Sequence, residues 1–276
     1  MQTVRITDDA SVPCLGQGTW NMGERPDRRA DEIAALRAGV ALGMTLIDTA
    51  EMYGDGATEE LVGEAISGIR DDVFLVSKAY PQNASRDRLP AACDASLRRL
   101  GTDRIDLYLL HWRGRVPLAE TVEAMQRLQA DGKIRHWGVS NLDTDDMEEL
   151  LEAGGAACVT DQILYNLTRR GPERALLPWL AGKGMSAMAY SPVEQGRLVG
   201  ERELASISRE AGLTPAQLAL AWVLSQPGVI AIPKAGTVEH VRENRVAADT
   251  TLPEETLAAL GDLFPAPRGA VALEML

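Results

Sequence analysis

The chain is poor in the residues that most directly declare a function. It has three cysteines, Cys14, Cys93 and Cys158, odd in number, far apart and without a CxxC pair. A disulfide framework is therefore not indicated, and a reducing cytoplasm is the expected compartment. Histidine also occurs three times, at His111, His136 and His240, without an HxxxH pair, so no metal site is expected. The opening stretch, Met1 to Asp9, lacks the apolar core of a secretion signal. No apolar run reaches membrane-spanning length. Positive charge is scarce: 28 Lys and Arg face 40 Asp and Glu, a net charge of −12 with no basic stripe. Nucleic acid and anionic membranes are thus poor partners, and an anionic cofactor needs a local positive site. Nucleotide fingerprints are missing as well. Gly16-Gln17-Gly18 and Gly54-Asp55-Gly56 begin GxG, but Asn21 and Glu59 stand where the third glycine belongs. With no Walker A motif either, a Rossmann domain is not expected.

What is present is a rhythm. The 276 residues, 45% hydrophobic and 25% charged, alternate short apolar runs with amphipathic ones. A polar hairpin over Thr3 to Pro13 precedes a strand over Leu15–Trp20. Strands are then expected at 45–50, 73–79, 105–111, 134–139, 157–163, 186–190 and 229–233. The intervening helices fall at 28–42, 58–68, 86–100, 118–131, from 143, 172–183, from Thr214-Pro215, and from Val238. The Thr-Pro pair is an N-cap with proline in the first turn. Residues 191–213 form a longer insert, and a last helix, 253–263, precedes a Pro-rich tail. Eight strand–helix units without a composition break predict an α/β protein: one (β/α)8 TIM barrel domain over 1–276, with an N-terminal hairpin and a short C-terminal helix and tail.

Four polar residues close or follow consecutive apolar strands: Asp48, Tyr53, Lys78 and His111. The C-terminal ends of barrel strands form the catalytic face. The loops after strands seven and eight, where barrels often hold phosphate, contain Ser191, Gln195 and Gly196, then Lys234, Ala235 and Gly236. Taken singly, each residue has a plainer use: a capping aspartate, a rim tyrosine, a snorkelling lysine, a core histidine. Convergence of all four on one face is poorly explained that way.

Leu46-Ile47-Asp48-Thr49-Ala50-Glu51-Met52-Tyr53-Gly54 resembles the pattern around the catalytic Asp and Tyr of the aldo-keto reductases. Val76-Ser77-Lys78 and Leu109-Leu110-His111-Trp112 resemble the lysine and histidine strands of that family. Gly138-Val139-Ser140-Asn141, Gln162, Tyr190-Ser191-Pro192, Ile232-Pro233-Lys234 and Glu243-Asn244 extend the resemblance, in order, along nearly the whole chain. The resemblance implies reduction of aldehydes or ketones by hydride from NADPH. It implies that Tyr190 stacks on the nicotinamide, that Ser140, Asn141 and Gln162 bond its carboxamide, and that Lys234 meets the 2′-phosphate. It also places Gly18, Thr19, Trp20, Asp48, Ser191, Pro192, Val193, Gln195, Gly196, Ile232, Ala235, Gly236, His240, Glu243 and Asn244 along the cofactor. Ala235 and His240 depart from the serine and arginine often found there. NADPH preference with weakened discrimination against NADH is therefore expected.

The chemistry of the four can be argued independently. A carbonyl that takes hydride must also take a proton, and a free phenol with pKa ~10 donates poorly near neutrality. An ammonium ~4 Å away, at an effective dielectric of ~20, favours the phenolate by about 4 kcal/mol before desolvation opposes it. Lys78 is thus expected to lower the pKa of Tyr53, Asp48 to hold Lys78, and His111 to orient the carbonyl. Trp20 and Trp112, with Tyr53 and His111, are expected to wall an open pocket for small carbonyl compounds, methylglyoxal-like or aromatic aldehydes. Two alternatives stand: a Schiff-base enzyme using Lys78, and a non-catalytic nicotinamide-sensing subunit. A monomer is the default, since no feature of the sequence sets the oligomeric state.

Overall fold

A computed structural model describes all 276 residues. The hairpin is present: β1 (Thr3–Arg5) pairs antiparallel with β2 (Ser11–Pro13). Eight strands then follow in parallel order: β3 (Gln17–Gly18), β4 (Leu46–Asp48), β5 (Phe74–Ala79), β6 (Ile105–Leu110), β7 (Ile134–Ser140), β8 (Cys158–Leu164), β9 (Ser186–Tyr190) and β10 (Val229–Ala231). The outermost two meet through Gly16 N to Ala231 O (2.9 Å), Gly18 N to Pro233 O (3.0 Å) and Ala231 N to Cys14 O (2.8 Å). These bonds close the barrel. β3 is shorter than the expected strand because Leu15 and Gly18 make only isolated bridges at this seam. Gly18 must be glycine there, since a Cβ would lie 2.6 Å from the Ile232 carbonyl oxygen.

Helices α1 (Arg29–Ala41), α2 (Ala57–Ile66), α3 (Arg88–Leu100), α4 (Leu118–Ala130), α5 (Thr144–Glu152) and α6 (Leu176–Gly182) alternate with the strands. After β9 come a turn of 3-10 helix (Glu194–Gly200), α7 (Arg202–Glu210) and α8 (Pro215–Leu224). α9 (Val238–Ala247) and α10 (Glu254–Leu263) follow β10. Thr214 caps α8 in a reciprocal box with Gln217, as the Thr-Pro signal predicts. The helix expected at 172–183 is instead two pieces, Gly171–Arg174 and α6, broken at Ala175 (φ −137°). Pro178 gives the reason: in one continuous helix its ring would collide with the carbonyl of Arg174, so the helix restarts and puts the proline in its first turn.

Two apolar layers hold the fold. Leu46, Val76, Leu107, Leu109, Met188, Ile230 and Ile232 fill the barrel interior, and Ile6 and Val12 of the hairpin plug its floor. A larger cluster lies between strands and helices, including Ile47, Leu75, Tyr108, Leu110 and Trp137. At the floor, buried Asp106 is neutralised by Arg70 (2.7 Å) and Arg135 (3.0 Å) and accepts from the Leu75 amide. No helix is long and apolar enough to cross a membrane.

Candidate active site

Strand periodicity builds the site. Side chains two apart share one face, so each interior apolar residue points to the next functional one. Leu46 is followed inside the barrel by Asp48, Val76 by Lys78, Leu109 by His111, and Met188 by Tyr190. Tyr53 is delivered differently, by the turn after β4. There Gly54, Asp55 and Gly56 all adopt positive φ (54°, 51° and 96°) and swing the chain back over the barrel mouth. A Cβ at Gly56 would lie 2.6 Å from Arg99 Cδ, so Arg99 would have to shift from its place against Glu59. Below the turn, buried Glu59 accepts from Ser77 Oγ (2.6 Å) and Arg99 Nε (2.6 Å), tying α2 to β5 and α3.

The four expected residues converge. Lys78 Nζ, fully buried, donates to Asp48 Oδ2 (2.7 Å), to Thr49 O (2.9 Å) and to Tyr53 Oη (3.2 Å). The phenol oxygen accepts from the ammonium, which leaves its own proton free for a ligand. The His111 ring stands edge-on to the Tyr53 ring, centroids 5.8 Å apart. Trp112 lies beside His111 at 5.0 Å, with Tyr80 beyond it at 5.9 Å. Trp20 is 44% exposed, the most open aromatic wall.

Burial governs the protonation states. His111 is pushed down to about 2 by burial, helped by the Lys78 charge, so its imidazole is neutral. Its Nδ1 is buried without a partner. A proton there would be an unsatisfied donor, which favours the tautomer carrying it on Nε2. Burial pulls Lys78 down, but Asp48 and Tyr53 together hold it above its ordinary value, so it stays cationic. The expectation for Tyr53 needs correction. Its net shift is upward: burial outweighs the lowering by Lys78, and the Asp48 charge adds to the rise. The ammonium therefore does not hold Tyr53 as a phenolate at rest; the phenol keeps its proton.

The expected cofactor residues form a second arc. Ser140 Oγ donates to Gln162 O (2.8 Å), and Asn141, held at φ 60°, donates to His111 O (3.2 Å). The Tyr190 hydroxyl donates to Asn141 Oδ1 (2.9 Å). Gln162 turns its amide group to Asp48 Oδ1 (2.7 Å), a link between the two arcs that sequence order conceals. Its Oε1 receives no hydrogen bond from the chain and remains an acceptor. Thr19 Oγ1 donates to Asp48 O (2.8 Å), with Gly18 and Trp20 on either side. Ser191, Pro192, Val193, Gln195 and Gly196 form the bend after β9, in which Ser191, Gln195 and Gly196 have positive φ.

Ile232, Lys234, Ala235 and Gly236 follow β10, and His240, Glu243 and Asn244 share one face of α9. Of four lysines, Lys78 and Lys133 are ion-paired and Lys183 lies over Trp179, while Lys234 stands exposed without a carboxylate. An exposed cation without a carboxylate at Lys234, together with the free amide acceptor at Gln162, suits a ligand with a phosphate at one end and a carboxamide at the other.

Residues 14–263 match the aldo/keto reductase family. The chain belongs to that family. It is 52% identical to a methylglyoxal reductase of Escherichia coli over 279 residues, covering 99% of this chain and 98% of that one. A glyoxal reductase of Bacillus subtilis is 32% identical over 258 residues, 92% and 90% of the two chains. The crystal structure of an aldo/keto reductase from Klebsiella pneumoniae in complex with NADP and acetate superimposes with a TM-score of 0.97 at 52% identity, over 99% of each chain. The (β/α)8 barrel expected from the eight strand–helix units is the fold observed, and the family that the motifs resemble is the one matched; the chain is an oxidoreductase of this family.

Sequence reading missed the supports of this aldo-keto reductase site. Glu51 accepts from Tyr80 N (2.6 Å) and Asn83 Nδ2 (3.0 Å), pinning the turn beside Tyr53. Asn166, Arg169 and Glu194 anchor the bend after β9. No local pattern signals them, because their partners come from distant segments.

Proposed function

We propose that this reductase converts small aldehydes, 2-oxoaldehydes of the methylglyoxal type among them, to alcohols with NADPH, using Tyr53 as general acid. The observation that carries the reading is the three-way hydrogen bonding of Lys78 Nζ to Asp48, Thr49 and Tyr53. NADPH supplies the hydride that the carbonyl carbon accepts. Ser140, Asn141, Gln162 and Tyr190 would hold its nicotinamide end, and Lys234 its 2′-phosphate. The protein's own part is to position, to exclude water and to move one proton. His111 Nε2–H and the Tyr53 hydroxyl both donate toward the substrate oxygen. As negative charge develops there, the Tyr53 proton passes to it, and the phenolate left behind is met at once by the Lys78 ammonium. Asp48 keeps that ammonium fixed and charged, so little reorganisation accompanies the step. The names of the relatives support a small carbonyl substrate, and the aromatic residues Trp20, Tyr80 and Trp112 would wall it.

The Schiff-base alternative requires a neutral amine at Lys78. An ammonium with Asp48 at 2.7 Å and a pKa above the ordinary value is a poor nucleophile, which argues against it. NADPH consumption across a carbonyl panel, run beside Tyr53→Phe, tests the proposal. Cofactor-dependent turnover of aldehydes that the variant loses is the expected result. Full turnover by Tyr53→Phe would remove Tyr53 from the reaction.

A further inference from the structure

The bend after β9 is backbone-strained. Ser191, Glu194 and Gln195 all have positive φ (48°, 49° and 55°), a region that non-glycine residues seldom occupy. Such a conformation persists only when its surroundings impose it, and here Glu194 is the side chain through which the turn after β8 grips the bend. Glu194, 6% exposed, points inward and accepts from Asn166 Nδ2 (2.7 Å) and from Arg169 Nη2 and Nε (2.8 and 3.2 Å). Asn166 also donates to Ser191 O (2.9 Å), so the bend is held at both Ser191 and Glu194 from the turn after β8. Although burial pushes the Glu194 carboxyl up, Arg169 and Asn166 hold it below its ordinary value, keeping it ionised.

Arg169 has a second partner. Its Nη1 donates to Glu274 Oε1 (2.6 Å), in the segment that follows α10. That segment continues over the site: Leu273 N donates to Asp143 Oδ2 (2.9 Å), two residues beyond Asn141. Of the other guanidiniums nearby, Arg197 pairs with Glu194 (3.6 Å) within the bend itself, and Arg170 and Arg174 bond only the segment, further back, at Phe264 O and Pro267 O. Arg169 alone among them bonds both the bend and the segment.

We propose that Arg169 is a positioning residue that couples the bend at 191–200 to the segment at 264–276, so that nucleotide bound against the bend orders the covering segment. This rests on the NADPH reading above. The coupling is mechanical. A guanidinium held in two bonds by Glu194 presents its third nitrogen in a fixed direction, and Glu274 meets it only while the bend keeps its strained shape. Substrate affinity then depends on nucleotide through Arg169, without any contact between Arg169 and substrate.

Hydrogen exchange of the whole protein, with and without saturating NADPH, tests this directly. In the unaltered protein, NADPH is expected to slow exchange at least threefold in both 191–200 and 264–276. In Arg169→Gln, protection of 264–276 is expected to disappear while some remains in 191–200. Glu274→Gln separates coupling from general destabilisation: the aldehyde KM should rise about three- to tenfold, with kcat and NADPH affinity within twofold. Protection confined to 191–200 in the unaltered protein, retained protection of 264–276 in Arg169→Gln, or an unchanged KM in Glu274→Gln would each overturn the coupling alone. No protection in 191–200 would overturn the NADPH reading, and the coupling with it.

Discussion

The two ends of the site are built on opposite plans. At β4 to β6, the polar groups are bonded to one another in the protein by itself: Lys78 to Asp48, Thr49 and Tyr53, and Asp48 to Gln162. At β10 and α9, Lys234 and His240 are exposed, and Lys234 has no carboxylate within ion-pair distance. In the proposed function the first end must hold its geometry through a chemical step, and a buried network does so because each member is costly to leave unsatisfied. In the same proposed function the second end has only to attract an anion, and a solvated cation serves without preparation. Changes at the buried end should therefore damage catalysis and folding together, whereas changes at the exposed end should alter affinity alone.

That contrast can be broken most sharply at Tyr53. Tyr53→Phe keeps the ring and removes the proton, so kcat is expected to fall by roughly 10³-fold, the scale of a lost general acid, with NADPH affinity nearly unchanged. Steady-state kinetics beside a binding titration decide it. Lys78→Met should leave buried Asp48 unpaired and destabilise the fold by about 3–5 kcal/mol, measured by urea unfolding, besides abolishing turnover.

His111 gives a smaller effect with a defined sign. Folded, its pKa lies at about 2 instead of 6.5, so on acidification the unfolded chain takes up a proton that the folded chain refuses. Stability is therefore lost as the pH falls below the unfolded value. Between pH 6.5 and about pH 5 the unaltered protein should lose roughly 1.5 kcal/mol more than His111→Gln. Parallel loss in the two would disprove a buried neutral imidazole. At the exposed end, Lys234→Met is expected to weaken NADPH about tenfold, close to 1.4 kcal/mol, while NADH affinity, kcat and unfolding stay as they were. A loss of stability there would erase the distinction between the two ends.

The strand ends were legible because alternation is a local property. Leu46 predicts the direction of Asp48, and Leu109 that of His111, from spacing alone. The break at Ala175 was legible only in part: Pro178 is plain in the sequence, but placing it in the first turn of a new helix depends on packing. The protonation of Tyr53 was misread because distance to Lys78 can be guessed from strand order, whereas the depth of burial cannot. The supports were hidden most completely. Asn166, Arg169, Glu194 and Glu274 come from three separated segments, and a charge on a loop looks the same in sequence whether it faces solvent or another loop.

The seam between β3 and β10 has a consequence for how the enzyme is made. It joins the earliest barrel strand to the latest, so a chain emerging from the ribosome carries Gly18 and Thr19 long before Ala231 and Lys234 exist. The contacts of greatest sequence separation form last. A nascent chain can thus bring Lys78 to Asp48 and Tyr53 early, yet the seam beside Lys234 is finished only when synthesis is nearly complete.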